Sequence, residues 1–187
     1  MRVAVTGTPG SGKTTATDRL AARDDGSNAD DSGGVEGTLD LVHLNEVIRE
    51  EGLSTGTDAD RDSLVADLDG VEAWLDDRQT TADIALVESH LAHWLNADRV
   101  VVLRCHPAEL EDRLAARGEP DATITENAES EALDVILGEA VERHSRDAVY
   151  EIDATDRAPE DVASEIRAVI AGEREPSAGT VSFVEYL

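Results

Sequence analysis

The stretch Gly7-Thr8-Pro9-Gly10-Ser11-Gly12-Lys13-Thr14-Thr15 constrains this chain more than any other. It fits G-x-x-x-x-G-K-[S/T] and stands between an apolar strand pattern at residues 2–6 and a helical pattern at 13–23. Glycines let successive backbone N–H groups turn inward around an anion, beside the positive end of the helix that follows. Lys13 can then reach the β- and γ-phosphates of a nucleoside triphosphate, and the Thr14 hydroxyl can ligate Mg²⁺. A chance glycine-rich turn would not need a strand before it and a helix after it. The stretch predicts a nucleoside triphosphate site with Mg²⁺.

The charge is extreme. Among 187 residues, 42 Asp+Glu face 16 Lys+Arg, for a formal net charge of -26, and Lys13 is the only lysine. A chain that uses arginine at every other basic position keeps a compact ammonium here, where a point charge suits phosphate. Such a surface repels nucleic-acid phosphates and anionic lipid, which argues against non-specific binding to either. Self-repulsion would strain a compact state at 0.1 M salt, where the Debye length is about 10 Å; at molar salt it falls to about 3 Å. The acidity, with 3% aromatics, is read as adaptation to concentrated salt in a halophilic source. It says little about partners.

A single cysteine, Cys105, excludes an intramolecular disulfide and reads as a small buried hydrophobe rather than a nucleophile. No basic-then-apolar leader precedes the first strand, and no apolar run approaches the roughly 20 residues of a membrane span. A cytoplasmic protein without membrane contact is expected.

Short β-branched runs alternate with helical patterns, the signature of an α/β layered fold around a mainly parallel sheet. Residues 24–38 read as a solvated loop. Leu39–His43 follow as a strand, then Asn45 as the cap of a helix through Glu50. Apolar positions at Leu64, Val65, Leu68, Val71, Trp74 and Leu75 predict one buried face of a helix over 61–78. Further strands are read at 84–87, 99–103 and 149–152. Pro107 opens a helix through Arg117, 118–126 read as a polar loop, and a long helix is expected from there to about Asp147. Pro159–Ile170 close the pattern. The tail from Gly172 is expected to be loosely held, with Val181, Phe183 and Tyr186 able to dock.

The run Ile84-Ala85-Leu86-Val87-Glu88-Ser89-His90 ends an apolar strand in an acid. In phosphate-loop proteins such an acid orients Mg²⁺ through water or polarises the nucleophile, although a surface acid closing a strand is common in so acidic a chain. His90 can reach the reacting phosphates or can simply pack. His90 and His93 have helical spacing, but no further ligand cluster makes them a metal pair. Trp74 and Trp94 read as packing residues.

Taken together with Val101-Val102-Leu103-Arg104 and Leu114-Ala115-Ala116-Arg117-Gly118, these motifs resemble the archaeal and eukaryotic adenylate kinase 6 family over roughly residues 1–170. The resemblance implies a P-loop NTPase fold of the nucleoside-monophosphate-kinase type. Its three α/β/α layers would hold a five-stranded parallel sheet, a small monophosphate-binding subdomain and a short lid. One domain would span 1–171, with the acceptor segment near 43–66, the lid near 116–126 and a tail at 172–187. Gly10, Gly12, Lys13, Thr14 and Thr15 match the ATP-binding loop, Arg117 the lid arginine that contacts ATP, and Arg49 the residue that holds the monophosphate. Glu88 and His90 match the family's acid-x-His element, so Lys13, Glu88 and His90 are the expected catalytic residues, with Thr14 and, through water, Glu88 on Mg²⁺.

The family often carries an aromatic and a lysine after the lid arginine and glycine. Here Glu119-Pro120-Asp121 follow, which removes a positive charge from the lid. Arg143 and Arg146 are secondary candidates for phosphate. The resemblance implies phosphoryl transfer from ATP to AMP or another nucleoside monophosphate. An ATPase acting in small-ribosomal-subunit maturation through a basic ribosomal protein is the alternative it permits. A kinase of another small metabolite ranks third, because an arginine holds a carboxylate as well as a phosphate.

Overall fold

The computed structural model describes residues 1–24, 37–58, 63–78 and 80–187; the sequence-predicted loop at 24–38 therefore falls largely outside the described residues. In chain order the elements are β1 (Arg2–Thr6), α1 (Lys13–Asp24), β2 (Leu39–His43), α2 (Leu44–Glu50), β3 (Ser54–Asp58), β4 (Ser63–Ala66) and α3 (Leu68–Asp77). They continue with β5 (Ile84–Glu88), β6 (Arg99–Arg104), α4 (Pro107–Ala116), α5 (Asp121–Ala132), α6 (Val135–His144), β7 (Val149–Asp153) and α7 (Pro159–Ala171).

Five strands form one parallel sheet in the order β2-β5-β1-β6-β7, and β3 and β4 form a separate antiparallel pair. A parallel sheet is covered on both faces, which is why its strands read as continuous apolar runs rather than alternating ones. Val3, Val5, Leu86, Leu103 and Ile152 turn toward α1 and α7, where Leu20, Val162, Ile166 and Val169 meet them. Ala4, Val87, Val100, Val102 and Val149 turn the other way, toward Leu44, Ile48, Val71, Leu137 and Ala140. The three-layer α/β/α fold expected from the sequence is present.

Register sets the working edge. Val5 pairs with Glu88 and Val101, and His43 also pairs with Glu88. The carboxyl ends of β1, β2 and β5 therefore lie level, and the loop after β1 opens directly beside Glu88. Ligands of parallel α/β sheets bind at this edge.

Several expectations are corrected. The helix read over 61–78 begins only at Leu68, capped by the Asp67 carboxylate accepting from the Gly70 N–H at 3.1 Å. Leu64 and Val65 lie on β4, opposite Thr57 and Gly56, and stay 45% and 47% exposed. A four-residue strand is too short for period two to show, and its residues fell by chance in step with α3. Asn45 does not cap α2 but sits inside it, and its Oδ1 accepts from Ser89 Oγ at 2.9 Å. The polar loop at 118–126 shrinks to a turn, because α5 starts at Asp121.

The single long helix to Asp147 is two helices. Asp134, at φ 56, takes the left-handed conformation between α5 and α6, and its carboxylate accepts from Arg104 at 2.6 Å. Pairing to that buried guanidinium outweighs helix continuity. The tail is also docked rather than loose: the N–H groups of Gly179, Thr180 and Val181 all donate to the Glu151 carboxylate, and Phe183 is buried. Val181 and Tyr186 are only half-buried.

Gly7 shows how tightly the first loop is seated. At φ +140 it has no room for a side chain, since a Cβ would stand 2.3 Å from the Leu103 carbonyl oxygen. Gly7→Ala is expected to cost about 3 kcal/mol or more of unfolding free energy. Urea denaturation in molar KCl measures this, and an unchanged midpoint would contradict the close approach.

Candidate active site

The loop between β1 and α1 turns through positive φ at Gly7, Gly10 and Gly12, angles that favour glycine. It wraps around its own lysine. Lys13 is buried at 7% exposure, and its Nζ donates to the carbonyls of Gly7 at 2.9 Å and Thr8 at 3.1 Å. Burial pushes the ammonium down to about 8, although Glu88 and Glu131 pull the other way. The Ser11 hydroxyl is buried in the same loop with no hydrogen-bond partner among the described residues. An orphaned donor in a glycine-rich loop that leads into the N-terminus of α1 fits an incoming anion.

Glu88 ends β5 at 6% exposure. His43, at the end of β2, lies between two acids, with Nδ1 3.2 Å from Glu88 Oε2 and Nε2 3.1 Å from Asp18 Oδ1. The imidazole thereby links α1 to the Glu88 carboxylate. His90 is half-buried and held down to about 4 by burial, with Lys13 and His93 adding to the effect, so it is neutral at neutral pH. His93 is not its partner on a metal. It is buried between Thr6 Oγ1 at 2.9 Å and Glu139 Oε2 at 3.0 Å. Among the described residues no group of three or more His, Cys, Asp and Glu side chains could hold a metal ion.

Of the residues picked from sequence, Gly10, Gly12, Lys13, Thr14, Thr15, Glu88, His90 and Arg117 line one cleft of about 160 Å³, with Pro9 and Asn45. A second cleft of about 170 Å³ shares Gly10, Gly12, Thr15 and Arg117 with it and is lined further by Arg113, Arg157, Pro159 and Val162. Arg49 lines neither. It is exposed on the last turn of α2, one turn beyond Asn45 and so on the same helix face. Arg143 and Arg146 line neither cleft, and Arg146 donates to the Ala178 carbonyl. Cys105 is fully buried and its thiol is pushed up to about 12, chiefly by burial, as suits a packing residue.

Sequence reasoning missed His43, Arg113, Arg104 and Glu131. Arg113 pairs with Glu109 and donates to the Gly10 carbonyl at 3.0 Å. Its signal was there: it precedes Arg117 by one helical turn. Nothing in the sequence pairs Glu131 with a loop far upstream.

A family model described as an AAA domain matches residues 3–134. The chain is also 59% identical to a Natronomonas pharaonis protein named "Putative adenylate kinase", over the whole length of both. It belongs to this family. A relative of the same name in Halobacterium salinarum is 52% identical, again over the whole of both chains, and one in Methanocaldococcus jannaschii is 35% identical over 99% of this chain and 94% of its own. Among solved structures, shikimate kinase from Acinetobacter baumannii, in complex with shikimate, superposes with a TM-score of 0.58 at 17% identity, covering 92% of this chain and 94% of that one. The Bacteroides thetaiotaomicron shikimate kinase gives 0.57 at 16% identity, covering 91% and 98%. At such identity these two show the fold, that of phosphate-loop kinases.

Family membership makes the Lys13 environment testable. With its ammonium near 8 in the free protein, the lysine loses its proton as pH rises through that value. A bound polyphosphate favours the charged form, so ATP binding should take up a proton and weaken above about pH 8. Calorimetry in buffers of different ionisation enthalpy is expected to show proton uptake at pH 8.5 and little at pH 6.5. Equal affinity and no uptake across that range would contradict it.

Proposed function

We propose that this protein is a nucleoside monophosphate kinase of the adenylate kinase 6 branch, catalysing ATP + AMP ⇌ 2 ADP. The observation that supports it best is a charge asymmetry. In a chain with 42 acids, Arg117 and Arg49 have no acid partner among the described residues, and they stand at the cleft and one helical turn beyond its Asn45 wall. Transfer between two polyanions needs cations at both ends.

In this reading the amides of the loop through Gly10 and Gly12, with Lys13 and Thr15, bind the ATP phosphates, and Arg117 closes over them. Thr14, exposed at the start of α1, and Glu88 in the same cleft offer oxygen donors that fit Mg²⁺. The ion would neutralise charge on the phosphates. Arg49 holds the acceptor phosphate, and the acceptor segment near 43–66 is α2 with the β3–β4 pair. His90, neutral, hydrogen-bonds to the transferring group without adding charge to it. The lid is the turn at Arg117–Pro120 with the adjoining helix ends, where Gly118 at φ +78 allows the chain to reverse. Closure excludes water, so that phosphate goes to the acceptor rather than to hydrolysis. Proximity and electrostatics carry the reaction, with no covalent intermediate.

The two shikimate kinases lend this chain their fold and nothing about an acceptor. No observation of its own favours an ATPase with a basic ribosomal protein as partner, since salt adaptation accounts for the acidic surface equally well.

Initial rates at molar KCl with Mg²⁺, ATP and a panel of acceptors (the nucleoside monophosphates and shikimate) test the proposal. ADP should form rapidly with AMP, and Lys13→Ala should lower kcat by about 10²-fold or more. Arg49→Ala should raise the AMP KM by about tenfold with the ATP KM little changed. Slow phosphate release indifferent to every acceptor would overturn the reading.

A further inference from the structure

Behind the phosphate loop lies a buried ionic network that the proposed reaction does not use. Glu131, on α5, is 3% exposed, and one carboxylate oxygen accepts the hydroxyl proton of Thr8, inside the loop. Its other oxygen accepts from Arg104 Nε at 2.6 Å and from the Cys105 N–H at 3.2 Å. Arg104, 1% exposed, also donates to the Glu131 carbonyl at 3.0 Å, to Asp134 and to Glu151. Burial alone would depress that guanidinium, but the acids around it, Glu131 foremost, raise it.

Glu151 carries the chain of contacts outward. Its second oxygen accepts from the N–H groups of Gly179, Thr180 and Val181 at 2.9, 2.7 and 3.1 Å. The Phe183 ring closes over Arg104, with 5.4 Å from Cζ to the ring centre. Arg104, Glu131 and Glu151 hold one another in one geometry, because releasing any of the three leaves an unpaired charge in a poorly solvated place.

Thr8 is the point where this network meets the nucleotide site. Its hydroxyl is fixed by Glu131, and its carbonyl accepts from Lys13 Nζ. We infer that Glu131 is a positioning residue for ATP: it orients the phosphate loop through Thr8 and, by way of Arg104 and Glu151, ties that loop to the C-terminal segment. This rests on the reading of the loop as an ATP site. A carboxylate so near the phosphates would repel them if its role were contact; held by Arg104 and Thr8, its role is to fix the backbone.

Three full-length variants test it in molar KCl, by ATP affinity in calorimetry, separate KM values for ATP and AMP, and melting temperature. Thr8→Val keeps the shape and removes the hydroxyl, and it should weaken ATP binding and raise the ATP KM about tenfold, the loss of one hydrogen bond to a charged group. The AMP KM should stay within about twofold, and Thr8→Ser should return the ATP KM to within about twofold of wild type. Glu151→Gln touches Arg104 and the tail but no part of the loop, and it should raise the ATP KM about threefold. If Thr8→Val and Glu151→Gln only lower the melting temperature, with ATP affinity and KM as in the wild type, the inference is overturned and the network is purely structural. If the wild-type protein binds no ATP, the reading of the loop fails and the inference falls with it. The Thr8→Val and Thr8→Ser pair decides the matter even where Glu151→Gln does not fold.

Discussion

One ammonium group in a buried ring of backbone sets the terms for the rest of the molecule. Lys13 is the only lysine, it is almost fully covered, and two carbonyls of its own loop accept from it. Keeping it there requires a loop that cannot collapse. The Gly7 backbone therefore rests on the Leu103 carbonyl, and Gly10 is held by Arg113. The parallel register then brings Glu88 and His43 level with the loop, so the acid side of the site is set by strand pairing rather than by side-chain length.

Charge is distributed unequally around that centre. Among the described residues several arginines are tied to acids: Arg2 to Glu72 and Asp76, Arg78 to Asp40, Arg104 to three carboxylates. The partly exposed pairs of Arg2 and Arg78 add little stability. Their effect here is on specificity, because an arginine already engaged does not compete for a polyanion, whereas Arg49 and Arg117 remain available. The net charge of -26 repels anions at long range, and at molar salt screening confines that repulsion to a few ångströms, about 3 Å at 1 M. Local cations then decide what binds.

How much of this was legible depended on range. The phosphate loop, the sheet and the acid-x-His run are local patterns, and Lys13, Thr14, Glu88, His90 and Arg117 meet in one cleft. Errors arose where a distant partner overrode a local signal. Periodicity ran Leu64 and Val65 into α3, although β3 pairs with them through Thr57 and Gly56. Asp134 breaks a helix because Arg104 holds it, and the tail docks because Glu151 accepts its N–H groups. Likewise Glu131 looked like one more acid among many, since its meaning lies in Thr8, well over a hundred residues away in the chain.

The most direct measurement follows the γ-phosphate itself. ATP labelled at that position, mixed with unlabelled AMP and the protein in molar KCl with Mg²⁺, should pass its label into ADP at the rate ATP disappears, with little free phosphate formed. Label appearing as inorganic phosphate at a rate that AMP does not alter would contradict phosphoryl transfer and show hydrolysis in its place.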